Sequence, residues 1–230
     1  VDSAQMIWGN SVAILTGDLI FSRASLLVSE LGTRPMKIQS QTFERLVLGQ
    51  LFETTGPREG QDLLDHYIAV IEGKTGSLIA AAGEYGSLLS GASEEVISMV
   101  KTYGELVGVA FQLADDVIDI VSDGKTSGKT RGTDLREGVP TLPTILLDRA
   151  VAAGDESARE VRALLDADLS SDEALETAVE ALSAHPVTQE AWQIAYDWAD
   201  RAIEAIAPLP DSTAKAALES FAHAVVHREG

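Results

Sequence analysis

The chain has 230 residues, of which 36 are acidic and 17 are basic, so its formal net charge is −19. This balance argues against a nucleic-acid-binding protein, because phosphate contacts need a basic surface. The absence of cysteine excludes a disulfide scaffold, a thiolate zinc site and a cysteine nucleophile. Apolar residues make up 45% of the chain, which is enough for a substantial core.

The N-terminal sequence VDSAQMIWGN lacks both the charged start and the apolar stretch of a signal peptide. By inspection, no apolar run approaches the roughly 18 residues that a membrane-spanning helix needs. We therefore expect a protein without a membrane span, located in the cytoplasm.

Helical periodicity recurs along the chain, and no segment alternates apolar and polar residues as a half-buried strand would. Residues 122–138 are polar, contain four glycines and are predicted to form a loop. Neither a repeat nor a low-complexity linker divides the chain, so the sequence predicts one all-α domain. The predicted helices cover about residues 11–31, 36–55, 60–72, 76–89, 93–121, 141–153, 157–167, 171–184, 186–207 and 212–227.

The long central helix carries the most informative pattern. Its segment from residue 104 to residue 121 is apolar almost all round, as in a buried helix. One face nevertheless carries four polar residues at positions i, i+3, i+4 and i+7: Gln112, Asp115, Asp116 and Asp119. Ionised carboxylates this close repel one another and are costly to desolvate unless a cation lies between them.

Magnesium suits this stripe, because Mg²⁺ prefers a few carboxylates together with water and substrate phosphate oxygens. No histidine lies near the stripe in sequence, which argues against zinc or iron. An ordinary solvated acidic face is the alternative, but the apolar surroundings disfavour it. We therefore predict that Asp115, Asp116 and Asp119 bind Mg²⁺.

Basic residues in two segments could bind a polyphosphate. Lys74 and Thr75 interrupt a helix between two glycines, where the lysine could reach a phosphate or lie at a surface bend. The other segment follows the acidic helix and could fold over an anion. An ordinary soluble loop of this composition is the alternative. The basic residues of this segment are Lys125, Lys129, Arg131 and Arg136. Asp18 could face a cavity, and Gln50 and Glu53, one turn apart, could form a second polar face.

Taken in order, these stretches resemble the trans-isoprenyl diphosphate synthases of the polyprenyl synthetase family. The resemblance covers about residues 8–143, and its most specific part is FQLADDVID followed by GKTRGTDL. It implies a helical bundle of the isoprenoid synthase type around a central cavity, and a homodimer. It also implies the reaction: Mg²⁺ ions help to ionise an allylic diphosphate, isopentenyl diphosphate attacks the carbocation, and repetition builds a polyprenyl diphosphate.

The resemblance assigns roles to individual positions. Asp115 is the firmest Mg²⁺ ligand, Asp116 belongs to the same motif, and Asp119 commonly contributes through water. The residues expected at the allylic diphosphate are Lys74 and Lys129, which bind its phosphates, Thr75, which supports that site, Gln112 beside it, and, as weaker transfers, Gln50 and Asp18. We expect Lys74, Asp115 and Lys129 to be the catalytic residues.

The family has two aspartate-rich motifs, and this chain has one. The first motif and the residues that bind isopentenyl diphosphate would lie upstream of Val1, and Val139 stands where many relatives carry a lysine. We therefore expect an N-terminally incomplete domain over residues 1–230 that has no prenyl-transfer activity as given. The alternatives are a non-catalytic partner subunit of a heteromeric synthase and, less favoured because its usual Asn/Ser/Glu motif is absent, a class I terpene cyclase.

Overall fold

The structure is a computed structural model that describes residues 3–122 and 131–227. Every regular element in these residues is a helix, which confirms the predicted all-α fold class. The helices are α1 (Ala4–Trp8), α2 (Asn10–Ser29), α3 (Thr33–Thr55), α4 (Leu63–Ile71), a π turn (Glu72–Gly76), α5 (Ser77–Leu89), α6 (Glu94–Val121), α7 (Thr133–Glu137), α8 (Leu142–Ala152), α9 (Glu156–Leu165), α10 (Asp172–Ala184), α11 (Pro186–Ala205) and α12 (Thr213–Val226).

Two compact units make up the chain, residues 1–44 and residues 45–230. In the first unit, the rings of Phe21 and Phe43 lie 4.6 Å apart, and Gln39 Nε2 donates a hydrogen bond of 2.9 Å to Ser25 Oγ. These contacts join α2 to the first part of α3. Helices α1 and α2 contain no buried residue, although both are rich in large apolar side chains.

Helix α2 is 20 residues long, and its most apolar window has a mean hydropathy of 1.5. By length and composition it could therefore cross a membrane, and the expectation that no segment meets these criteria is wrong. The core helix of a soluble protein and a signal sequence pass the same test, so a single such helix is weak support for a membrane span. It is the one such helix in the part of the chain that the structure describes.

The second unit is built around α6. This helix packs mainly against α5 and α11, with further contacts to α8, α10 and α12. Val107, Leu113 and Val117 on α6 are completely buried. The prediction of a buried central helix is confirmed, and so is its start, because the Ser93 side chain accepts a hydrogen bond from Val96 N as an N-cap.

Two glycines allow α6 to approach its neighbour unusually closely. A Cβ atom at Gly108 would lie 2.8 Å from Gly76 Cα, and one at Gly104 would lie 2.7 Å from Ala80 Cα. Since real Cβ atoms do not come this close to backbone, the contact requires glycine at both positions. It places the polar face of α6 directly against the π turn.

The segment predicted as a loop contains a short helix. Helix α7 spans Thr133–Glu137, and Gly132 and Gly138 flank it with φ values of 69°. The left-handed conformation of these glycines begins and ends the helix, so they cap a helical turn here. The remainder of that segment, residues 123–130, lies outside the described residues.

Candidate functional site

A cavity of about 290 Å³ lies in the second unit between α6, the π turn and the segment that leads into α8. Both apolar side chains and polar or ionisable groups line it. The lining residues are Glu53, Gly56, Pro57, Leu63, His66, Tyr67, Val70, Ile71, Lys74, Thr75, Gln112, Asp116, Asp134, Val139, Pro140 and Thr141.

The π turn supplies Lys74 and Thr75. The sequence predicts a helix break at these residues, but the chain stays helical and widens by one residue over Glu72–Gly76. The predicted interruption is therefore a π turn between α4 and α5. Both side chains line the cavity, as predicted for a lysine that reaches a ligand.

Lys74 is held by an acidic partner from α3. Its Nζ donates to both carboxylate oxygens of Glu53, at 2.8 and 2.7 Å. Gln50 Nε2 donates to the same carboxylate at 2.7 Å. The predicted polar face of Gln50 and Glu53 is therefore present, and Gln50 bonds to Glu53 without itself lining the cavity. An anion at Lys74 would share this ammonium with Glu53.

A chain of hydrogen bonds links the π turn to the acidic face of α6. Thr75 Oγ1 donates to Gln112 Oε1 at 3.2 Å, and Gln112 Nε2 donates to Asp116 Oδ1 at 3.4 Å. Because an amide side chain can donate and accept at once, Gln112 joins a hydroxyl to a carboxylate. The predicted neighbourhood of Thr75 and Gln112 is thus observed.

Asp116 points inward and is only 5% exposed. Its Oδ2 accepts hydrogen bonds from the Tyr67 hydroxyl and, at 3.0 Å, from Leu142 N. Burial raises the pKa of Asp116 to about 7, although the three hydrogen bonds act in the opposite direction. Burial and the nearby Asp116 also raise the pKa of Tyr67 well above its ordinary value, so the phenol remains a donor.

The other two aspartates of the stripe are placed differently. Asp115 is exposed, and Asp119 is partly buried. Asp119 Oδ2 accepts a hydrogen bond of 3.3 Å from Asp134 N, and its backbone oxygen accepts one of 2.9 Å from Gly132 N. Helix α7 is thereby attached to α6, and Asp134 becomes part of the cavity wall.

Within residues 3–122 and 131–227, no group of three or more His, Cys, Asp or Glu side chains has an arrangement that could hold a metal ion. The donor chemistry nevertheless fits Mg²⁺, since Asp115, Asp119 and Asp134 offer only carboxylate oxygens from two adjoining helices. A magnesium site here stays a prediction.

Two of the predicted phosphate-binding bases have other partners. Arg131 Nε donates to Ile120 O at 2.8 Å, and its Nη1 pairs with Glu176 at 3.1 Å. Arg136 pairs with Asp172 at 2.6 Å. Both ion pairs reach α10 and neither arginine lines the cavity, so the prediction that they serve a polyphosphate is not supported by the geometry.

Three predicted residues cannot be related to the cavity. Lys129, a predicted phosphate ligand, lies outside the described residues, and so does Lys125. Asp18 belongs to the first unit. Val139 lines the cavity and contributes an apolar side chain to its wall.

Among the polar lining residues, four were not predicted from the sequence, namely His66, Tyr67, Asp134 and Thr141. His66 is buried in the cavity wall. A usable signal existed for Tyr67, which precedes Lys74 by seven residues and so lies about two helical turns before it on a similar face. No comparable signal existed for Thr141, which lies at the N-cap of α8.

Comparisons with known proteins identify the family. A sequence model of the polyprenyl synthetase family, described as "Polyprenyl synthetase", matches residues 1–182. The nonaprenyl diphosphate synthase of Mycobacterium tuberculosis is 42% identical over 228 residues, which are 99% of this chain and 67% of that protein. The octaprenyl diphosphate synthase of Escherichia coli is 32% identical, over 99% of this chain and 70% of that protein.

Solved structures share the fold. The crystal structure of geranylgeranyl pyrophosphate synthase from Corynebacterium glutamicum, complexed with calcium and isoprenyl diphosphate, matches with a TM-score of 0.85 and 42% identity. The match covers 99% of this chain and 70% of that one. The chain thus spans about two thirds of the length of the relatives that it resembles. It belongs to the polyprenyl synthetase family.

Proposed function

We propose that this protein is a trans-prenyltransferase that condenses an allylic diphosphate with isopentenyl diphosphate and elongates the product to a polyprenyl diphosphate. Membership of the family supports prenyl transfer. The observation that carries the proposal for this chain is the convergence of Lys74, Thr75 and Gln112 on one cavity beside the aspartate stripe of α6.

Charge on the leaving group sets the chemical requirement. Ionisation of an allylic diphosphate places developing negative charge on the departing pyrophosphate, so cationic groups there stabilise the transition state more than the ground state. Lys74 supplies one such group, and we propose Lys129 as a second. Thr75 and Gln112 can orient the phosphates through their hydroxyl and amide groups.

Asp115 and Asp119 would hold Mg²⁺, with the Asp134 carboxylate close by. Bound Mg²⁺ supplies positive charge to the diphosphate oxygens as a Lewis acid. The carboxylates belong to two helices that hydrogen bonds hold together, because Asp119 accepts from the backbone of α7. We infer that this attachment keeps Asp134 near the stripe.

The apolar residues of the cavity lining have a different proposed role, which is to contact the hydrocarbon part of the substrate. Leu63, Val70 and Ile71 line the cavity together with the charged groups. A prenyl carbocation reacts readily with water, so an apolar surface beside the reacting carbon protects it. We propose that these three side chains contact the hydrocarbon part of the allylic substrate.

Binding of an allylic thiolodiphosphate, which keeps the diphosphate but ionises poorly, tests the proposal without requiring turnover. Titration calorimetry in Mg²⁺ should detect binding that EDTA abolishes, because the metal must neutralise the diphosphate. Asp115→Ala should weaken this binding at least about tenfold, the effect of losing a hydrogen-bonded charged partner.

Asp200→Ala is the matched control, since Asp200 is an exposed aspartate of α11 away from the cavity lining. This variant should bind like the wild type. Absence of Mg²⁺-dependent binding to the wild type, or equal binding by both variants, would contradict the proposed function.

We also propose a homodimer, on the family resemblance alone. Light scattering at several protein concentrations should give twice the 24.4 kDa mass of the chain. A mass that stays at the monomer value throughout would contradict the dimer.

A further inference from the structure

We propose that Asp116 is a positioning residue rather than a metal ligand, and that with Tyr67 it fixes Gln112 and the start of α8 around the cavity. This inference rests on the proposed function, because it divides the aspartate stripe into two roles. Asp115 and Asp119 bind the metal, and Asp116 positions the neighbouring cavity residues. The sequence pattern alone predicts the same role for all three aspartates.

Helix geometry separates Asp116 from Asp115. Successive residues on an α-helix point about 100° apart, so neighbouring aspartates cannot face one ion in the same way. In this structure Asp115 is exposed, whereas Asp116 is 95% buried. The two carboxylates therefore have different surroundings although they are adjacent in sequence.

The acceptor capacity of Asp116 is largely used within the protein. Oδ2 receives two donors, the Tyr67 hydroxyl and Leu142 N, which match its two lone pairs. Oδ1 receives Gln112 Nε2 at 3.4 Å. A metal ion at Oδ2 would have to displace the Tyr67 hydroxyl or Leu142 N and leave that donor buried without a partner, which is unfavourable.

Two of the three donors come from parts of the chain that are far from Asp116 in sequence. Tyr67 is 49 residues away on α4, and Leu142 is 26 residues away at the start of α8. Leu142 N belongs to the first turn of its helix, where backbone N–H groups lack intrahelical acceptors. Asp116 accepts this hydrogen bond and places a carboxyl group at the positive end of the α8 dipole.

Gln112 extends the network to the ligand-binding face. While its Nε2 donates to Asp116, its Oε1 accepts from Thr75 of the π turn. Both Gln112 and Thr75 line the cavity. Asp116 and Tyr67 therefore determine where two cavity side chains lie, and they do so through hydrogen bonds that need an acceptor oxygen but no negative charge.

A positioning residue needs an acceptor oxygen, whereas a metal ligand needs a negative charge, so replacing Asp116 by asparagine separates the two roles. In Asp116→Asn the amide oxygen can accept from Tyr67 and Leu142, and its NH₂ group can donate to Gln112 if the Gln112 amide turns over. Gln112 would then donate to the Thr75 hydroxyl. A positioning residue should tolerate this change, but a metal ligand should not.

The experiment measures thiolodiphosphate affinity across a Mg²⁺ titration, together with the melting temperature in EDTA. Asp115→Asn should shift the Mg²⁺ midpoint by about tenfold or more and leave the melting temperature unchanged. Asp116→Asn should shift the midpoint much less than Asp115→Asn does. Asp116→Ala and Tyr67→Phe should lower the melting temperature and weaken affinity even at saturating Mg²⁺.

A Mg²⁺ midpoint that moves as far in Asp116→Asn as in Asp115→Asn would overturn the proposal. So would a melting temperature of Asp116→Asn as low as that of Asp116→Ala, since the asparagine should restore the hydrogen bonds. If the wild type shows no Mg²⁺-dependent binding, the proposed function fails, and the positioning role is then decided by the melting temperatures in EDTA alone.

Discussion

Lys74 forms an ion pair with Glu53 and can still bind a phosphate group. Its ammonium group contacts both oxygens of Glu53, and both side chains are partly exposed, at 33% and 40%. Exposed ion pairs contribute little to stability. The pair therefore orients Lys74 at the cavity and leaves it available to a phosphate group.

Lys74→Met should reduce thiolodiphosphate affinity by about 10- to 100-fold, the typical effect of losing a hydrogen bond to a charged group. Its unfolding free energy should change by less than about 1 kcal/mol. Calorimetric titration and urea unfolding measure the two quantities.

Lys101→Met is the matched control, because Lys101 forms a similar ion pair of 2.8 Å with Glu84 outside the cavity lining. Equal affinities of the two variants would contradict the role of Lys74.

Single residues also show what the sequence could and could not predict about the site. A lysine at an interrupted helix and a polar face on an apolar helix are visible in the sequence, and the family resemblance then assigns Lys74, Thr75 and Gln112 to the site. The inward orientation of Asp116 was not predictable, since it depends on Tyr67 and Leu142, which are distant along the chain. Sequence periodicity indicates which residues share a helix face. It does not indicate which donors form hydrogen bonds to a given side chain.

At the scale of elements, the contact between α6 and the π turn determines the geometry of the site. Gly108 faces Gly76 at backbone distance, and the neighbouring Thr75 O would lie 3.3 Å from a Cβ atom at position 108. Any side chain there would push the π turn away from α6. The hydrogen bond between Thr75 and Gln112 spans the same contact and would be disturbed with it.

Gly108→Ala should therefore destabilise the protein by about 1–3 kcal/mol through overpacking, despite the higher helix propensity of alanine, and should weaken thiolodiphosphate binding. Gly86→Ala is the control, because a Cβ atom at Gly86 in α5 would meet no atom within 4 Å. That variant should gain up to about 1 kcal/mol. Denaturant unfolding of both tests the argument, which fails if Gly108→Ala is as stable as Gly86→Ala.

The same scale shows the limits of boundary prediction. The predicted helix over residues 93–121 matches α6, because a serine N-cap and the change to a polar, glycine-containing segment define its ends. The π turn and α7 were mistaken for breaks, because glycine was read as ending a helix. In the fold, Gly73 and Gly76 are buried within a continuous helical path, and Gly132 and Gly138 bound a short helix.

At the scale of the whole molecule, Asp116 links stability to pH. Its pKa is about 7 in the folded protein against an ordinary 3.8. Below about pH 4 the carboxyl group is protonated in both states. Between about pH 4 and 7 the unfolded chain loses the proton first, so the free energy of unfolding falls as the pH rises and the loss is complete above pH 7.

Asp116→Asn removes this dependence, because asparagine does not titrate. In EDTA, the variant should gain roughly 3 kcal/mol relative to the wild type between pH 5 and pH 8. Urea unfolding of both proteins across this range measures the difference. A constant difference between them would show that the Asp116 carboxyl group titrates normally in the folded protein.

The central claim is that the cavity beside α6 binds an allylic diphosphate with Mg²⁺. A crystal structure of the protein with Mg²⁺ and the thiolodiphosphate tests it most directly. The account predicts metal at Asp115 and Asp119, phosphate oxygens at Lys74, and Asp116 still bonded to Tyr67 and Leu142 N. A diphosphate bound away from Lys74, or Mg²⁺ coordinated by Asp116 in place of Asp115, would contradict it.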